Sequence, residues 1–415
     1  MQEVIQDEDF QKRLKKAIFI FVLISACTGF YAGVTDLIMG NYFKEAYDAT
    51  AQMRGVIEVP RELPGIVSLF IIAALSFLRD IRMAVVAQLF GAIGLVVLGV
   101  FHPSFGIMLL FLFIFSLGQH MFMPLGDSIG LSLATKDNMG RLLGRFKSVN
   151  MAFMMIAGII CFIGFRTGVF HFEAPVLIFL ICVGAFAACA ILLLFLRAQV
   201  GREIEGRTEV SKLVFRKEYI RYYVISAIYG SRKQIMFVFS PWVLIELLGF
   251  KADSMSILGL IGAFIGIFFI PFVGRLVDRH GSRIVMMIES LCFVAIYIAY
   301  GLLSKWISEP SFIITGLVLF SVYVLFISDR MSMQFYMVRA LYLKSIAVRE
   351  EDVTPSLSTG MAIDHVFSII CALLCGVIWD RWGPEFVFIF AAVLATANFF
   401  VVLGIKGPLS RGRTF

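Results

Sequence analysis

Charged side chains are scarce in this chain of 415 residues: they make up 16% of it, whereas soluble domains carry about 25%. Hydrophobic residues make up 60%, and the mean hydropathy is +0.91. This composition excludes a soluble globular domain and indicates an integral membrane protein. The seven cysteines fall in apolar stretches without zinc-type spacing, so we expect neither disulfides nor a metal site. No nucleophile–base pair or phosphate-binding loop is visible, so we expect no enzyme and no cofactor.

Twelve apolar runs are long enough to cross a bilayer, which takes about 20 residues in a helix. The runs are continuous, which excludes the alternating strands of a membrane barrel. Numbered as segments 1 to 12, they cover residues 17–42, 59–78, 83–101, 106–134, 147–166, 174–197, 219–247, 254–273, 284–303, 311–341, 356–379 and 385–404. The sequence therefore predicts an all-α integral membrane protein with twelve transmembrane helices.

The basic residues predict the orientation of these segments. With the N-terminus inside, the inner stretches carry 26 of the 36 Lys and Arg residues and the outer stretches carry 7. Because inner loops are enriched in Lys and Arg, both termini are predicted to be cytoplasmic, in a multi-pass protein of the cytoplasmic (inner) membrane. The same bias accounts for the net charge of +7 without a nucleic-acid partner.

The longest inner loop, residues 198–218, is charged and lies midway along the chain. We expect it to link an N-terminal six-helix half, residues 1–197, to a C-terminal half, residues 219–415. Asp80 and Asp278 each follow the second segment of their half and lie 198 residues apart. This spacing is what a duplicated six-helix unit predicts.

A short motif joins segments 8 and 9 on the inner side. Residues 274–283 read GRLVDRHGSR and contain Gly274, Asp278, Arg279, Gly281 and Arg283. Gly281 suits a tight turn, and Asp278 can pair with a basic residue across an inner gate. The stretch resembles the G-x-L-x-D-R-x-G-R-R loop of the major facilitator superfamily. That resemblance implies two pseudo-symmetric six-helix halves and secondary transport by alternating access. The equivalent first-half loop keeps Asp80 but lacks both glycines.

Three cations, Arg232, Lys233 and Arg330, lie inside apolar segments. A cation at such a position costs about 2.5–3.5 kcal/mol unless it meets water or a partner. The resemblance implies that segments 1, 4, 7 and 10 line a central cavity, and polar residues concentrate there. The candidate substrate-binding residues are Arg232, Arg330, Tyr229, Gln119, Tyr31 and Gln334.

Neighbouring helical residues point about 100° apart. Arg232 and Lys233 therefore cannot both face one cavity, and neither can Asp329 and Arg330. We expect the two arginines to face the solute, with Lys233 and Asp329 as supports. The alternative is a bridge from Arg232 or Lys233 to Asp329 that only keeps the halves in register.

Segment 11 carries Asp364 and His365, either of which could bind a coupling proton. The alternative is an interhelical bond from Asp364 to Lys233 or Arg330. The full set of proton-coupling or supporting candidates is Asp364, His365, Asp329, Lys233, His120, Asp127 and Asp36. Residues 54–65 open segment 2 with prolines that suit a helix start. Their charges either pair with Asp36 at an outer gate or stay solvated.

These features favour a monomeric, proton-coupled symporter of a small polar or anionic organic solute, with the solute, protons and the lipid bilayer as partners. The alternative is proton-coupled efflux of amphiphilic compounds. Segment 5 lacks the Gly-Pro pair, and the core of segment 4 lacks the Arg, that such exporters of this family carry. A receptor or a membrane enzyme would be a third class, and no soluble domain indicates either.

Overall fold

The computed structural model describes residues 8–75, 77–134, 138–200, 215–331, 335–349 and 352–405, and every regular element within them is helical. The first part of the chain forms α1 (Glu8–Tyr47), α2 (Ala51–Ala74), α3 (Asp80–Val100), α4 (Phe105–Ser132), α5 (Met139–Arg166) and α6 (Leu177–Gln199). The second part forms α7 (Ile220–Gln234), α8 (Ser240–Trp242), α9 (Ala252–Ser308), α10 (Gly316–Arg330), α11 (Tyr336–Ile346), α12 (Val353–Trp382) and α13 (Pro384–Leu403).

Eight of the described helices are long and apolar enough to cross a membrane: α1, α3, α4, α5, α6, α9, α12 and α13. Helix α9 has 57 residues and contains both segment 8 and segment 9. Segments 2, 7 and 10 correspond to α2, to α7 with its continuation, and to α10 with α11. Helix α2 carries several charges, and α7, α10 and α11 are short, so none of them is among the eight. The all-α membrane fold is confirmed, and the helix order is consistent with twelve crossings.

The two segments within α9 are separated by one residue with a non-helical backbone. Gly281 has φ 80 and ψ 158, and the space around it is open. Only glycine adopts a positive φ of this kind without steric cost. The regular helix is therefore interrupted by a kink at Gly281, with no long loop, inside the stretch 274–283.

Helix α7 changes its winding directly after its two cations. Arg232 and Lys233 lie in its last turn, and the π-helical stretch Ile235–Phe239 follows at once. A second π-helical stretch, Val243–Leu247, follows α8. Such π-helical turns are rare and are frequent at functional sites, because the extra residue per turn redirects the side chains that follow.

Helix α2 begins eight residues earlier than segment 2, so the expectation that residues 54–65 open the helix was wrong. The Thr50 hydroxyl accepts a bond of 3.2 Å from the Met53 N–H, and Asp380 Oδ2 accepts one of 3.1 Å from the Gln52 N–H. These two acceptors satisfy N–H groups of the first turn and start the helix at Ala51. Pro60 and Pro64 lie inside the helix, as membrane helices tolerate.

Internal contacts divide the chain into two compact units: Met1–Tyr42 with Leu63–Val210, and Phe43–Glu62 with Ser211–Phe415. In unit 1, α3 packs against α4 and α6. Its apolar core includes Phe21, Met121 and Leu193. In unit 2, α12 packs against α7 and α13 packs against α9. The N-terminal half of α2 belongs to unit 2, so its charged residues are surrounded by side chains of unit 2.

The seam between α7 and α12 depends on a glycine. A Cβ atom at Gly230 would lie closer to the backbone oxygen of Asp364 than real Cβ contacts allow. The two backbones therefore touch here, and this contact brings Lys233, one turn further along α7, beside Asp364.

Replacing Gly230 with alanine is expected to destabilise the protein by about 1–3 kcal/mol, because the added methyl forces two packed helices apart. Gly184→Ala on α6 is the matched control, since nothing lies within 4 Å of a Cβ there. Thermal unfolding of the detergent-purified proteins measures both. Equal midpoints for Gly230→Ala and Gly184→Ala would contradict the close approach.

Candidate functional site

Four ionisable side chains of unit 2 meet in one hydrogen-bonded group, which we call the Glu62 cluster: Glu62 on α2, Lys233 on α7, and Asp364 and His365 on α12. Lys233 Nζ lies 3.0 Å from Glu62 Oε2 and 3.0 Å from Asp364 Oδ1. His365 Nδ1 lies 2.7 Å from the same Glu62 oxygen. Lys233 thus bridges two carboxylates, and Glu62 accepts from two nitrogens.

The Glu62 cluster is largely shielded from solvent. Its side chains are between 9% and 14% exposed. Glu62 is eleven residues from the start of α2, which is about 16 Å along the helix and half of the hydrocarbon thickness. With a neutral imidazole, the two carboxylates and one ammonium carry a net charge of −1. One added proton would make the group neutral, and a neutral group is less costly to bury than one with a net charge.

Neighbouring side chains fix the geometry of the cluster. The single Ser368 hydroxyl proton is shared between Asp364 Oδ1, at 3.2 Å, and the Gly230 oxygen, at 3.0 Å. The Arg339 guanidinium on α11 lies 3.3 Å from the centre of the Tyr229 ring, which is one turn before Lys233. Tyr229 is therefore a wall of this site, stacked against a further cation.

Earlier turns of α2 carry a second charged group that was expected to be solvated or paired with Asp36. Arg54 and Arg61 each place Nη1 at 2.8 Å from Glu58 Oε1. Arg54 and Glu58 are only 2% exposed, and the Arg54 guanidinium lies 5.7 Å from the centre of the Trp242 ring. The expectation of solvated loop charges was wrong, because the residues lie inside the helix and pair along it.

Arg232 does not face open space in this structure. Its side chain is 3% exposed, and Nη2 donates to Glu289 Oε1 on α9 at 3.1 Å. Its guanidinium lies 4.5 Å from the centre of the Phe293 ring. This arrangement differs from the expectation that Arg232 contacts the solute and Lys233 supports it. The 100° between the two residues turns Arg232 into the seam with α9 and Lys233 towards α2 and α12.

Asp329 is fully buried and receives hydroxyl donors. Tyr297 donates to Oδ1 at 3.0 Å, and Ser240 donates to Oδ2. Arg330, at the end of α10, is half-buried, with its guanidinium 5.2 Å from the centre of the Phe326 ring. Gln334 lies outside the described residues. Of the two predicted arginines, Arg330 is therefore the one that keeps access to its surroundings.

Unit 1 contains a cavity of about 390 Å³. Asn150 spans its wall, donating to Thr28 Oγ1 at 3.0 Å and to the Ser25 oxygen at 3.2 Å. Asp127 and Lys147 form an exposed ion pair of 3.1 Å at its rim. The predicted residues that line the cavity are Tyr31, Asp36, Gln119, His120 and Asp127. The structure thus brings together five side chains from segments 1 and 4.

The gate residues divide between buried and exposed positions. Asp80 is fully buried at the start of α3, and the Ser128 hydroxyl on α4 donates to it. Asp278 and Arg279 are exposed in α9, as part of the stretch that starts at Gly274. Arg283 donates to the Leu403 oxygen at 2.8 Å, at the last turn of α13. Arginine at a helix C-terminus satisfies an orphan carbonyl there.

Sequence reasoning missed Glu62, Glu289 and Asn150 as site residues. A signal for Glu62 exists: Arg54, Glu58 and Glu62 follow at intervals of four, which places all three on one helix face. Asn150 is an isolated amide in an apolar helix. Glu289 is an isolated acid in segment 9. An acid that faces a cation across a helix seam leaves no trace in the spacing of either helix.

Breaking the Arg232–Glu289 pair is expected to cost stability. Glu289→Gln leaves a buried guanidinium without its counterion, which costs about 3–5 kcal/mol. Asp127→Asn is the matched control, because the exposed pair that it removes contributes at most about 1 kcal/mol. Thermal unfolding in detergent compares the two. If Glu289→Gln unfolds no earlier than Asp127→Asn, Arg232 is stabilised by other groups.

A model of the Major Facilitator Superfamily matches residues 18–345. Similar solved structures include a nucleoside transporter, NupG (TM-score 0.72, 14% identity, covering 94% of this chain and 100% of that one). A POT family transporter in complex with a conjugated peptide has TM-score 0.76 and 12% identity, covering 95% and 97%. A D-xylose–proton symporter has TM-score 0.67 and 11% identity, covering 94% and 98%. A search of curated proteins gave no match. The chain is a multi-pass membrane transporter that belongs to the Major Facilitator Superfamily.

Proposed function

We propose that this protein is a proton-coupled symporter that carries a small polar or anionic organic solute across the cytoplasmic membrane. The observation that carries the proposal is the Glu62 cluster, in which one ammonium serves two carboxylates and an imidazole completes the group. The six-helix halves, residues 1–197 and 219–415 joined by residues 198–218, would alternate access to the solute. Both termini are proposed to be cytoplasmic, and the transporter works as a monomer.

The proposed protonation cycle involves both halves of the sequence, because each half supplies residues to the Glu62 cluster. Glu62 comes from the first half of the sequence, and Lys233, Asp364 and His365 come from the second. With its extra proton the cluster is neutral and closes without a net buried charge. After the proton leaves, the net charge of −1 favours contact with water, so the bonds to Glu62 open more readily. Proton occupancy would thereby bias a two-state equilibrium between gate conformations.

The solute class rests on two places in the structure. The cavity of unit 1 offers two amides, a tyrosine and an exposed ion pair, Asp127–Lys147, whose members could exchange to charged groups of a solute. Arg330 offers a guanidinium fork, which matches carboxylate or phosphate groups. Because Arg232 is engaged with Glu289, Arg330 is the anion contact that we propose. The polar lining also favours this reading over efflux of amphiphilic compounds.

Glu62→Gln is expected to uncouple solute movement from proton movement, because without the Glu62 carboxylate the cluster is already neutral and no longer needs an added proton to balance its charge. The solute is first identified by a thermal-shift screen against metabolite pools at two pH values. Proteoliposomes that contain a pH-sensitive dye then report internal acidification during solute uptake. The variant should retain solute exchange but lose acidification. Glu173→Gln, in an exposed stretch outside the cluster, should behave as wild type. Solute uptake by the wild type without proton entry would refute the proposal.

Arg330→Gln is expected to weaken binding of the identified anionic solute about 10- to 100-fold, because a charged hydrogen bond contributes about 1.5–3 kcal/mol. Arg330→Lys should recover part of this loss, since a point charge replaces the fork. Arg381→Gln, which removes an exposed cation in the last turn of α12, is the control. Binding is followed by the solute-dependent rise in unfolding temperature. Unchanged affinity in Arg330→Gln would remove this residue from the solute site.

A further inference from the structure

A second cavity in unit 1, of about 520 Å³, lies between the N-terminal part of α1 and the first turns of α5. Its polar lining includes three cations, Lys15, Arg141 and Arg145, and all three are exposed. No carboxylate among the described residues forms an ion pair with them. None of the residues that line this cavity also lines the 390 Å³ cavity.

The electrostatic field of this cavity is positive from two sources. Three like charges gather around one space, and such a group attracts a polyvalent or phosphate anion. The α5 helix begins at Met139 beside it, and no acidic residue occupies the first turn. The N–H groups and dipole of this helix end therefore add to the positive side-chain charges.

The rest of the lining is apolar, which distinguishes the cavity from a site for a free ion. Phe19 is 60% exposed, Ile18 is half-buried and Leu142 is buried. Phe19 and Ile18 follow Lys15 along α1, towards the apolar part of segment 1. The cavity thus combines a group of cations with an apolar wall. A phospholipid, with a charged headgroup followed by an acyl chain, requires this combination.

We propose that this cavity binds the phosphate headgroup of an anionic phospholipid in the inner leaflet, with an acyl chain along Ile18 and Phe19. Basic pockets between membrane helices on the cytoplasmic side bind such headgroups through the same charges. The choice of leaflet rests on the cytoplasmic orientation proposed above. A soluble phosphate would use the cations but gain nothing from the apolar wall.

The test is lipid retention by the detergent-purified, full-length protein, read by native mass spectrometry with added phosphatidylglycerol or phosphatidylcholine. The wild type should retain phosphatidylglycerol at least ten times more tightly than phosphatidylcholine. The triple variant Lys15→Gln, Arg141→Gln, Arg145→Gln should lose this preference. The matched control Arg82→Gln, Lys217→Gln, Arg221→Gln removes three exposed cations elsewhere and should keep it. An equal loss of the phosphatidylglycerol preference in both triple variants would show that only the overall positive charge of the protein matters, and it would overturn the proposed site.

Two further measurements distinguish a lipid from a soluble anion. Phe19→Gln leaves all charges in place and should weaken phosphatidylglycerol retention several-fold. Glycerol 3-phosphate, which has the headgroup chemistry without chains, should compete poorly. Competition at concentrations equal to those of the lipid would identify a site for a soluble anion and would overturn the lipid assignment. Retention in detergent requires no transport, so a failed proton-coupling experiment leaves this test unaffected.

Discussion

An ionised side chain inside an apolar helix bundle needs a counterion or water, and this requirement organises most of unit 2. The described part of the chain satisfies it three times: along one face of α2, between α7 and α9, and in the Glu62 cluster. Each solution uses side chains that reach across or along packed helices at about 3 Å. The backbone contact at Gly230 supports the last of them, because only closely packed helices bring short carboxylates and Lys233 within bonding distance. Packing and charge pairing are therefore inseparable here.

Much of the helix order could be predicted from hydrophobic runs alone. Segments 3, 4, 6 and 12 agree with α3, α4, α6 and α13 to within three residues at each end. These helices are predominantly apolar, so length and composition suffice. The start of α2 could not be predicted in this way, because the charges before residue 59 interrupt the apolar run and the two prolines suit a helix start further along. Two kinds of contact stabilise that stretch as a helix. Asp380 from α12 accepts a hydrogen bond from an N–H of the first turn, and Glu58 neutralises Arg54 and Arg61 along the same helix.

The candidate site was predictable in composition but not in orientation. The 100° step between neighbouring residues shows that Arg232 and Lys233 point in different directions. It does not show which of the two faces α9 and which faces α2 and α12. That choice is made by Glu289, an acid 57 residues further along the chain. The π-helical turn after Gln234 adds a rotation that no regular period contains. Glu62 escaped for the related reason that its partners lie 171 and 303 residues away.

The two buried groups on α7 differ in what they can exchange, and this difference separates scaffold from mechanism. Arginine stays protonated at any physiological pH, so the Arg232–Glu289 pair has no labile proton on its cation and gains nothing by opening. The Glu62 cluster differs, because one ammonium and one imidazole share two carboxylates. Adjacent positions on one helix therefore carry a closed ion pair and a member of a shared hydrogen-bonded group. A mechanism that couples proton binding to helix movement requires both, because one seam must stay closed while another opens. The residue order on α7 meets that requirement within a single turn, with Arg232 towards α9 and Lys233 towards α2.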